Sequence, residues 1–169
     1  CSALSAPFYI VLASEQAFDF SLLATFMALS GLASLVSAPI WGRLSDLSSR
    51  KVLVFAAMLV TLNGFAVYLV AYLSPQTLNE FWLLPLCYFL LTVAHQGVRL
   101  GRKTYLVDMA EGNKRTDYVS VSNTVIGVIL LLLGSVGLLN SFLTTAELIF
   151  FYSILGLVGA ISAWFLEEA

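Results

Sequence analysis

The sequence has few charged side chains. Asp, Glu, Lys and Arg together make up 11% of its 169 residues, whereas a soluble domain carries roughly 25%. Hydrophobic residues make up 60% of the chain, and the mean hydropathy is +0.93. The scarcity of charge excludes a soluble globular domain. It predicts a membrane protein with a single transmembrane domain over residues 1–169.

Histidine and cysteine are also scarce. His95 is the only histidine, and the two cysteines, Cys1 and Cys87, give no disulfide framework. A membrane-embedded hydrolase needs a base or a metal at membrane depth, but no acid pair lies inside an apolar stretch and no Gly-x-Ser-x-Gly turn occurs. We therefore expect no enzyme activity, no metal and no cofactor. Nucleic acid is not an expected partner, because the basic residues are split between two loops without interleaved aromatics.

Long apolar stretches alternate with short polar loops. A transmembrane helix needs about 20 residues, and every stretch except the first reaches that length. The chain also begins inside an apolar run without an initiator Met, so we expect a fragment cut inside a helix. The expected fold is an all-α membrane bundle of six helices with the first one truncated. The approximate spans are residues 1–13 (partial), 20–41, 51–73, 81–103, 118–139 and 146–166.

The basic residues lie in only two of the loops. By the positive-inside rule these loops are cytoplasmic, which places both ends of the chain on the cytoplasmic side. Trp41, Trp82 and Trp164 each lie at a predicted span end, where aromatic side chains anchor a helix at the membrane interface. The two loops contain all eight Lys and Arg residues: Arg43, Arg50 and Lys51 in one, and Arg99, Arg102, Lys103, Lys114 and Arg115 in the other.

The fourth predicted helix carries a polar stripe. Its members follow one another at steps of four, three, four and three residues, which places them on one helical face. At a rise of 1.5 Å per residue, His95 lies ~20 Å below Trp82. Ionisable groups at such depth usually face the bundle interior or a water-filled path. The stripe consists of Tyr88, Thr92, His95, Arg99 and Arg102.

Two interpretations of the stripe are open. In the functional one the helix lines a central cavity, with His95 and Gln96 as substrate or proton groups and Arg99 as a gate at the cytoplasmic end. In the structural one the backbone satisfies the hydroxyl groups, His95 is a neutral packing residue, and the arginines extend their charged ends to the interface. The candidate substrate or proton pathway comprises Tyr88, Thr92, His95, Gln96 and, on the fifth helix, Asn123.

The charged segment between the second and third helices matches a known pattern. It reads G-x-L-S-D-x-x-x-R-K from Gly42 to Lys51, with Pro39 just upstream, and it resembles the loop signature of major facilitator superfamily (MFS) transporters. Leu47 and Ser49 depart from that signature, in which a basic residue and a glycine are usual. The resemblance implies alternating access, in which two six-helix halves rock about a central site. It also implies a gating or conformational motif: Gly42, Asp46, Arg50, Lys51, Arg99 and Arg102.

A second stretch is similar to the same family. Residues 99–110 and 120–127 resemble the tenth helix, the following loop and the eleventh helix of bacterial permeases. The chain thus resembles the C-terminal six-helix half of such a permease. That implies four things: a missing N-terminal half as partner, a lipid bilayer, a small-molecule substrate with proton coupling as an option, and the bacterial inner membrane as location.

Further expectations concern helix packing. Asp46 and Arg99, at the cytoplasmic ends of neighbouring helices, are expected to form an ion pair that favours one conformation. The fifth helix, with Gly127, Gly134 and Gly137, is expected to pack closely. The sixth is expected to be an outer, lipid-facing element.

Two classes of function are open. The first is a secondary active transporter, an MFS permease that moves a small solute by alternating access. The alternative is a non-transporting polytopic membrane bundle, such as a receptor-like or scaffold subunit. The substrate is not predicted, because the polar side chains of the fourth helix suit sugars, drugs or organic anions.

The sorting of the basic residues predicts the membrane orientation. Arg43→Cys and Lys114→Cys should react with a membrane-impermeant maleimide only from the cytoplasmic side, and Gln76→Cys only from outside. The measurement is labelling of intact and permeabilised cells that express the full-length protein without other cysteines. Labelling of positions 43 and 114 from opposite sides would contradict the orientation.

Overall fold

The structure is a computed structural model that describes residues 2–16, 20–80, 82–110 and 114–167. Within these residues the chain is almost entirely helical and contains no strand. Five of the described helices are long and apolar enough to cross a membrane, so the prediction of an all-α membrane bundle is confirmed. The helices are α1 (Ser2–Gln16), α2 (Phe20–Leu47), α3 (Ser49–Leu73), α4 (Leu83–Met109), α5 (Arg115–Gly134) and α6 (Thr145–Trp164). Short 3-10 helices, Pro75–Asn79 and Ser135–Ser141, precede α4 and follow α5.

Hydrogen bonds at the two ends of the bundle show how its helices alternate in direction. The start of α3 lies beside the end of α4, because Ser49 Oγ donates to Asp108 Oδ2 over 3.3 Å. It also lies beside the end of α6, because Arg50 Nη1 donates to the Leu166 carbonyl over 3.0 Å. At the opposite end, a hydrogen bond between side chains joins the start of α6 to the end of α1. The basic residues of the α2–α3 junction and of the last turns of α4 therefore lie at the same end.

Helix α3 is the centre of the bundle and packs closely against α4 and α6. Its contact with α6 depends on small residues. A Cβ atom on Gly156 would lie 2.9 Å from Thr61 Oγ1, and one on Gly64 would overlap Ser153 Oγ. In lipid, helices associate through such close van der Waals contact, because burial of apolar surface gives little driving force there. The buried small residues of α6 are Ser153, Gly156, Ala160 and Ala163.

The packing expected for the last two helices is found only in part: a Cβ on Gly134 or Gly137 would lie 3.9 Å or 3.4 Å from a side chain of α1. Helix α6 is not simply lipid-facing, because its small-residue face is buried in the bundle. Helix α5 has no buried residue, and no atom lies within 4 Å of a Cβ built on Gly127. Both helices have small residues at a spacing suited to close packing, and only the tertiary arrangement decides which of them meets a neighbour.

Trp41 is a packing residue and not the interfacial anchor that its position predicted. Its indole Nε1 donates to the Val93 carbonyl of α4 over 2.8 Å, and the ring lies against Gly97. The side chain is only 7% exposed, whereas Trp82 is 50% and Trp164 is 69% exposed. The glycine opposite the indole lets α2 approach α4, so Trp41 joins the core.

The predicted loop between the second and third spans is a single residue, Ser48. Helix α2 continues to Leu47, so Arg43 and Asp46 lie in its last turns and not in a loop. Ser48 caps α3, because its Oγ accepts a hydrogen bond from Lys51 N over 3.3 Å. The predicted second span stops at Trp41, before the first charge, and the predicted fourth span stops at Lys103, whereas α2 continues to Leu47 and α4 to Met109, since backbone hydrogen bonds persist beyond the hydrocarbon layer.

A buried amide connects three helices near the middle of α3. Asn63 Nδ2 donates to Tyr9 OH over 3.1 Å and to the Cys87 carbonyl over 2.9 Å. Both Asn63 and Tyr9 are buried. An unsatisfied polar group is costly inside a bilayer, so these bonds fix the positions of α1 and α4 relative to α3.

The contact at Gly97 gives a test of this packing. A Cβ at Gly97 would lie 2.6 Å from Trp41 Cε2 and 2.8 Å from Ala56 Cβ. Gly97→Ala should therefore lower the free energy of unfolding by about 1–3 kcal/mol, the usual cost of overpacking. Thermal melting of the full-length protein in lipid nanodiscs measures the loss. Gly159→Ala is the matched control, because no atom lies within 4 Å of a Cβ there. Equal melting temperatures would contradict the close contact.

Candidate functional site

The outer half of the α4 stripe makes packing contacts. The Tyr88 ring is half-buried and meets Phe26 of α2 edge to face, with ring centroids 4.7 Å apart. Thr92 Oγ1 donates to the Tyr88 carbonyl of its own helix over 2.9 Å. The backbone thus accepts the hydroxyl hydrogen of Thr92, and only the lone pairs of the hydroxyl oxygen could accept a hydrogen bond from a ligand.

The middle of α4 is hydrogen-bonded to two other helices. His95 Nδ1 and Ser2 Oγ of α1 are 2.9 Å apart, and Gln96 Nε2 donates to Ser34 Oγ of α2 over 3.0 Å. His95 and Gln96 are both half-buried. Adjacent residues therefore point in different directions, so the structure does not place all the predicted pathway residues on one surface.

A cavity of about 350 Å³ lies between α1, α4 and α5. Of the predicted site residues, the structure brings His95, Arg99 and Arg102 together on its α4 wall, and apolar side chains of α5 form the opposite wall. We call this space the arginine cavity. Asn123 is exposed on α5 and lies outside it. The predicted site residues that do not line this cavity are Asn123, Tyr88, Thr92 and Gln96.

The two arginines of the cavity differ in their surroundings. Arg99 is exposed, whereas Arg102 is half-buried and its Nε is a buried nitrogen without a hydrogen-bond partner. The ion pair expected between Asp46 and Arg99 does not form, although the structure describes both residues. The reason is geometric: Arg99 faces α1 and α5, whereas α2 contacts α4 through Trp41 and Ser34.

Comparison with protein families gives a match over the whole chain. The model of the Major Facilitator Superfamily matches residues 1–169. The chain belongs to the Major Facilitator Superfamily. Comparison with curated proteins and with solved structures gives no match. Members of this superfamily are transporters and not enzymes, so this facilitator chain is a membrane protein of small-molecule transport.

Part of the predicted gating motif of this facilitator chain has a structural role. Arg50 Nη1 donates to the carbonyl of Leu166, just after α6 ends. The last carbonyls of a helix lack partners within it, so a basic side chain is favourable there. A Cβ on Gly42 would have no atom within 4 Å, so close packing does not require this glycine.

Several residues around the site were not predicted from the sequence. Ser2 and Ser34 are the hydrogen-bond partners of the two central α4 side chains, and Asp108 accepts from Ser49 at the end of the bundle that carries the basic residues. The sequence offered one signal for these partners: a hydroxyl side chain on another helix at the same membrane depth as His95 or Gln96. Depth alone does not show which helix faces which, so the pairs could not be chosen.

The hydrogen bond from Arg50 to the Leu166 carbonyl gives a test of whether Arg50 stabilises the fold or only sets the membrane orientation. Arg50→Lys keeps the positive charge but replaces the planar guanidinium with a shorter single-point donor. We expect an unchanged membrane orientation and a free energy of unfolding lower by about 1–2 kcal/mol. Thermal melting of the full-length protein in nanodiscs measures the loss.

Arg43→Lys is the control for this substitution, because Arg43 is an exposed residue at the same end of the bundle. Equal stability of the two variants would show that the bond to the Leu166 carbonyl contributes nothing.

Proposed function

We propose that this facilitator chain forms half of a secondary active transporter that moves a small solute by alternating access. The observation that carries the proposal is the polar surface of α4, with its hydrogen bonds to α1 and α2 and the arginine cavity beside them. Polar and ionisable groups inside a bilayer are expensive, and those that persist usually serve a pathway.

The packing supports a division into rigid and movable parts. Helices α3, α4 and α6 are held by glycine contacts too close for any larger residue. Helix α5 has no buried residue, whereas α2 packs closely against α4 through Trp41 and Gly97, and the Tyr9–Asn63 hydrogen bond holds α1 to α3. An exposed helix such as α5 can shift against its neighbours, whereas interdigitated cores move as one body.

We propose roles for the remaining motif residues on the same basis. Gly42, Asp46, Arg50 and Lys51 form the conformational motif at the α2–α3 junction, which the positive-inside rule places in the cytoplasm of a bacterial cell. His95 is the substrate or proton group, because an imidazole can both donate and accept a hydrogen bond. The second six-helix half would cover the arginine cavity, since the exposed Arg99 needs shielding from lipid.

Alternating access can be tested without knowing the substrate. Thr92→Cys places a cysteine in the middle of the α4 stripe. In the outward-open conformation it should react with a membrane-impermeant maleimide only from outside, and in the inward-open conformation only from the cytoplasmic side. The measurement uses full-length protein without other cysteines, reconstituted in one orientation. Locking the cytoplasmic end by cross-linking should abolish labelling from that side and keep labelling from the other.

The matched control is Val158→Cys. Val158 is 54% exposed on α6 and should face lipid. A cysteine there has no contact with water and stays a protonated thiol, so it should not react with the maleimide. Labelling at position 92 from one side only, unaffected by the cross-link, would support a non-transporting bundle and overturn the transporter proposal.

A further inference from the structure

We propose that the 3-10 helix Ser135–Ser141 is a conformational switch. Hydroxyl donors hold this segment as a 3-10 helix, and its conversion to an α-helix separates α5 from α1 at the end of the bundle opposite the basic residues. As a moving part of a transport cycle, the switch rests on the function proposed above.

The fifth span changes its helix type before its apolar stretch ends. Residues 115–138 form one apolar helical segment that is long enough to cross a membrane. Its α-helix nevertheless stops at Gly134, and the 3-10 helix of seven residues follows directly. In a 3-10 helix the hydrogen bonds have poorer geometry, and runs beyond about four residues are uncommon. Contacts outside the backbone must therefore favour this form.

Two hydroxyl groups donate to the carbonyls at the change of helix type. Tyr152 OH of α6 donates to the Leu133 carbonyl over 2.9 Å, and Ser135 Oγ donates to the Leu132 carbonyl over 2.6 Å. A carbonyl with a poor backbone bond gains more from a second donor than a carbonyl in a regular α-helix does. Because the bilayer core offers no water to act as that donor, the two hydroxyls favour the 3-10 form.

Tyr152 also connects this segment to α1. Its side chain is only 1% exposed, and its ring stacks on that of Phe8 with centroids 5.6 Å apart and planes 30° apart. A ring fixed in this way cannot follow a shift of α5 without losing its packing. The hydroxyl of Tyr152 therefore links the helix type of the segment to the position of α1.

The 3-10 form places two glycines against α1. A Cβ on Gly134 would lie 3.9 Å from Leu4 Cδ2, and one on Gly137 would lie 3.4 Å from Phe8 Cζ. In a 3-10 helix, residues three apart lie directly above one another, so the same narrow face meets α1 at both levels. The space beside Phe8 admits a glycine but not a large side chain.

The α-helical form would turn a leucine towards Phe8. Each residue of an α-helix turns by about 100°, compared with about 120° in a 3-10 helix. The direction that Gly137 now shares with Gly134 would then lie about 60° from Gly137 and about 40° from Leu138. Leu138 is 78% exposed in the 3-10 form. Its side chain would need the space beside Phe8, so α1 and α5 would have to separate.

The length of the segment gives a test, because the rise per residue falls from about 2.0 to about 1.5 Å and seven residues become about 3.5 Å shorter. Nitroxide labels on Val128→Cys and Phe142→Cys, both exposed positions, bracket the segment. The measurement is the distance distribution from pulsed electron paramagnetic resonance, on full-length protein without other cysteines in nanodiscs. We expect a main distance for the 3-10 form and a minor distance for the α-helical form.

Tyr152→Phe keeps the ring and removes the hydroxyl. It should raise the ratio of the short to the long distance about fivefold, as the loss of one hydrogen bond predicts. Ser135→Ala should raise the ratio in the same direction, and this exposed position puts folding at less risk.

Two matched controls should leave the ratio unchanged. Tyr72→Phe removes a hydroxyl from a tyrosine that is 75% exposed, and Ser120→Ala removes one that donates within the regular part of α5. An unchanged ratio in both Tyr152→Phe and Ser135→Ala would overturn the proposal. A lower melting temperature of Tyr152→Phe with an unchanged ratio would do the same, because the hydroxyl would then only stabilise the packing.

Labelling of Thr92→Cys separates the switch from the transport function. A ratio that responds to Tyr152→Phe, without alternating labelling at position 92, would keep the switch and reject transport. Alternating labelling with an unchanged ratio would keep the transporter and reject the switch. If both hold, Tyr152→Phe should speed the labelling of position 92 from outside, and Tyr72→Phe should not.

Discussion

The bilayer core offers no water, so the protein itself must satisfy every polar group placed there. The structure meets this requirement at nearly every polar side chain of its inner helices. Asn63 bonds two neighbouring helices, Gln96 bonds Ser34, and Thr92 bonds its own backbone. Arg102 Nε is an exception among the described residues, and it is found where α4 borders a cavity. Ser45 Oγ of α2 is another buried atom without a hydrogen-bond partner, so such atoms occur at the basic end of both helices.

The same solvent explains which helices are tightly joined. Apolar surface gains little when it leaves lipid for protein, so close backbone approach must hold the helices together. Gly97 provides it between α3, α4 and the Trp41 indole, and Gly64 and Gly156 provide it between α3 and α6. Helix α5 lacks such contacts. The cavity thus has one wall on a closely packed helix, α4, and one on the exposed helix α5.

The two interpretations of the α4 stripe apply to different parts of it. Tyr88 makes a ring contact with Phe26, as a structural residue does, and Thr92 donates to its own backbone, which leaves the lone pairs of its hydroxyl oxygen without a partner of that kind. His95, Arg99 and Arg102 share a cavity, and this is the part of the stripe to which the functional interpretation can apply. Helical periodicity put all five on one face but could not divide them, because the division follows from which neighbouring helix covers each turn.

The sequence alone determined that the protein is a helical membrane protein, that it resembles a known family, and that its basic residues lie in two loops. These properties depend on the hydropathy and the charges of each segment taken by itself. The tertiary structure decided that Trp41 is buried, that α6 and not α5 joins the core, that Arg50 holds the end of α6, and that Arg99 faces a cavity and not Asp46. Each of these depends on which helix surfaces meet. Residues far apart in the sequence settle that jointly, through the fit of small side chains and the partners available to polar ones.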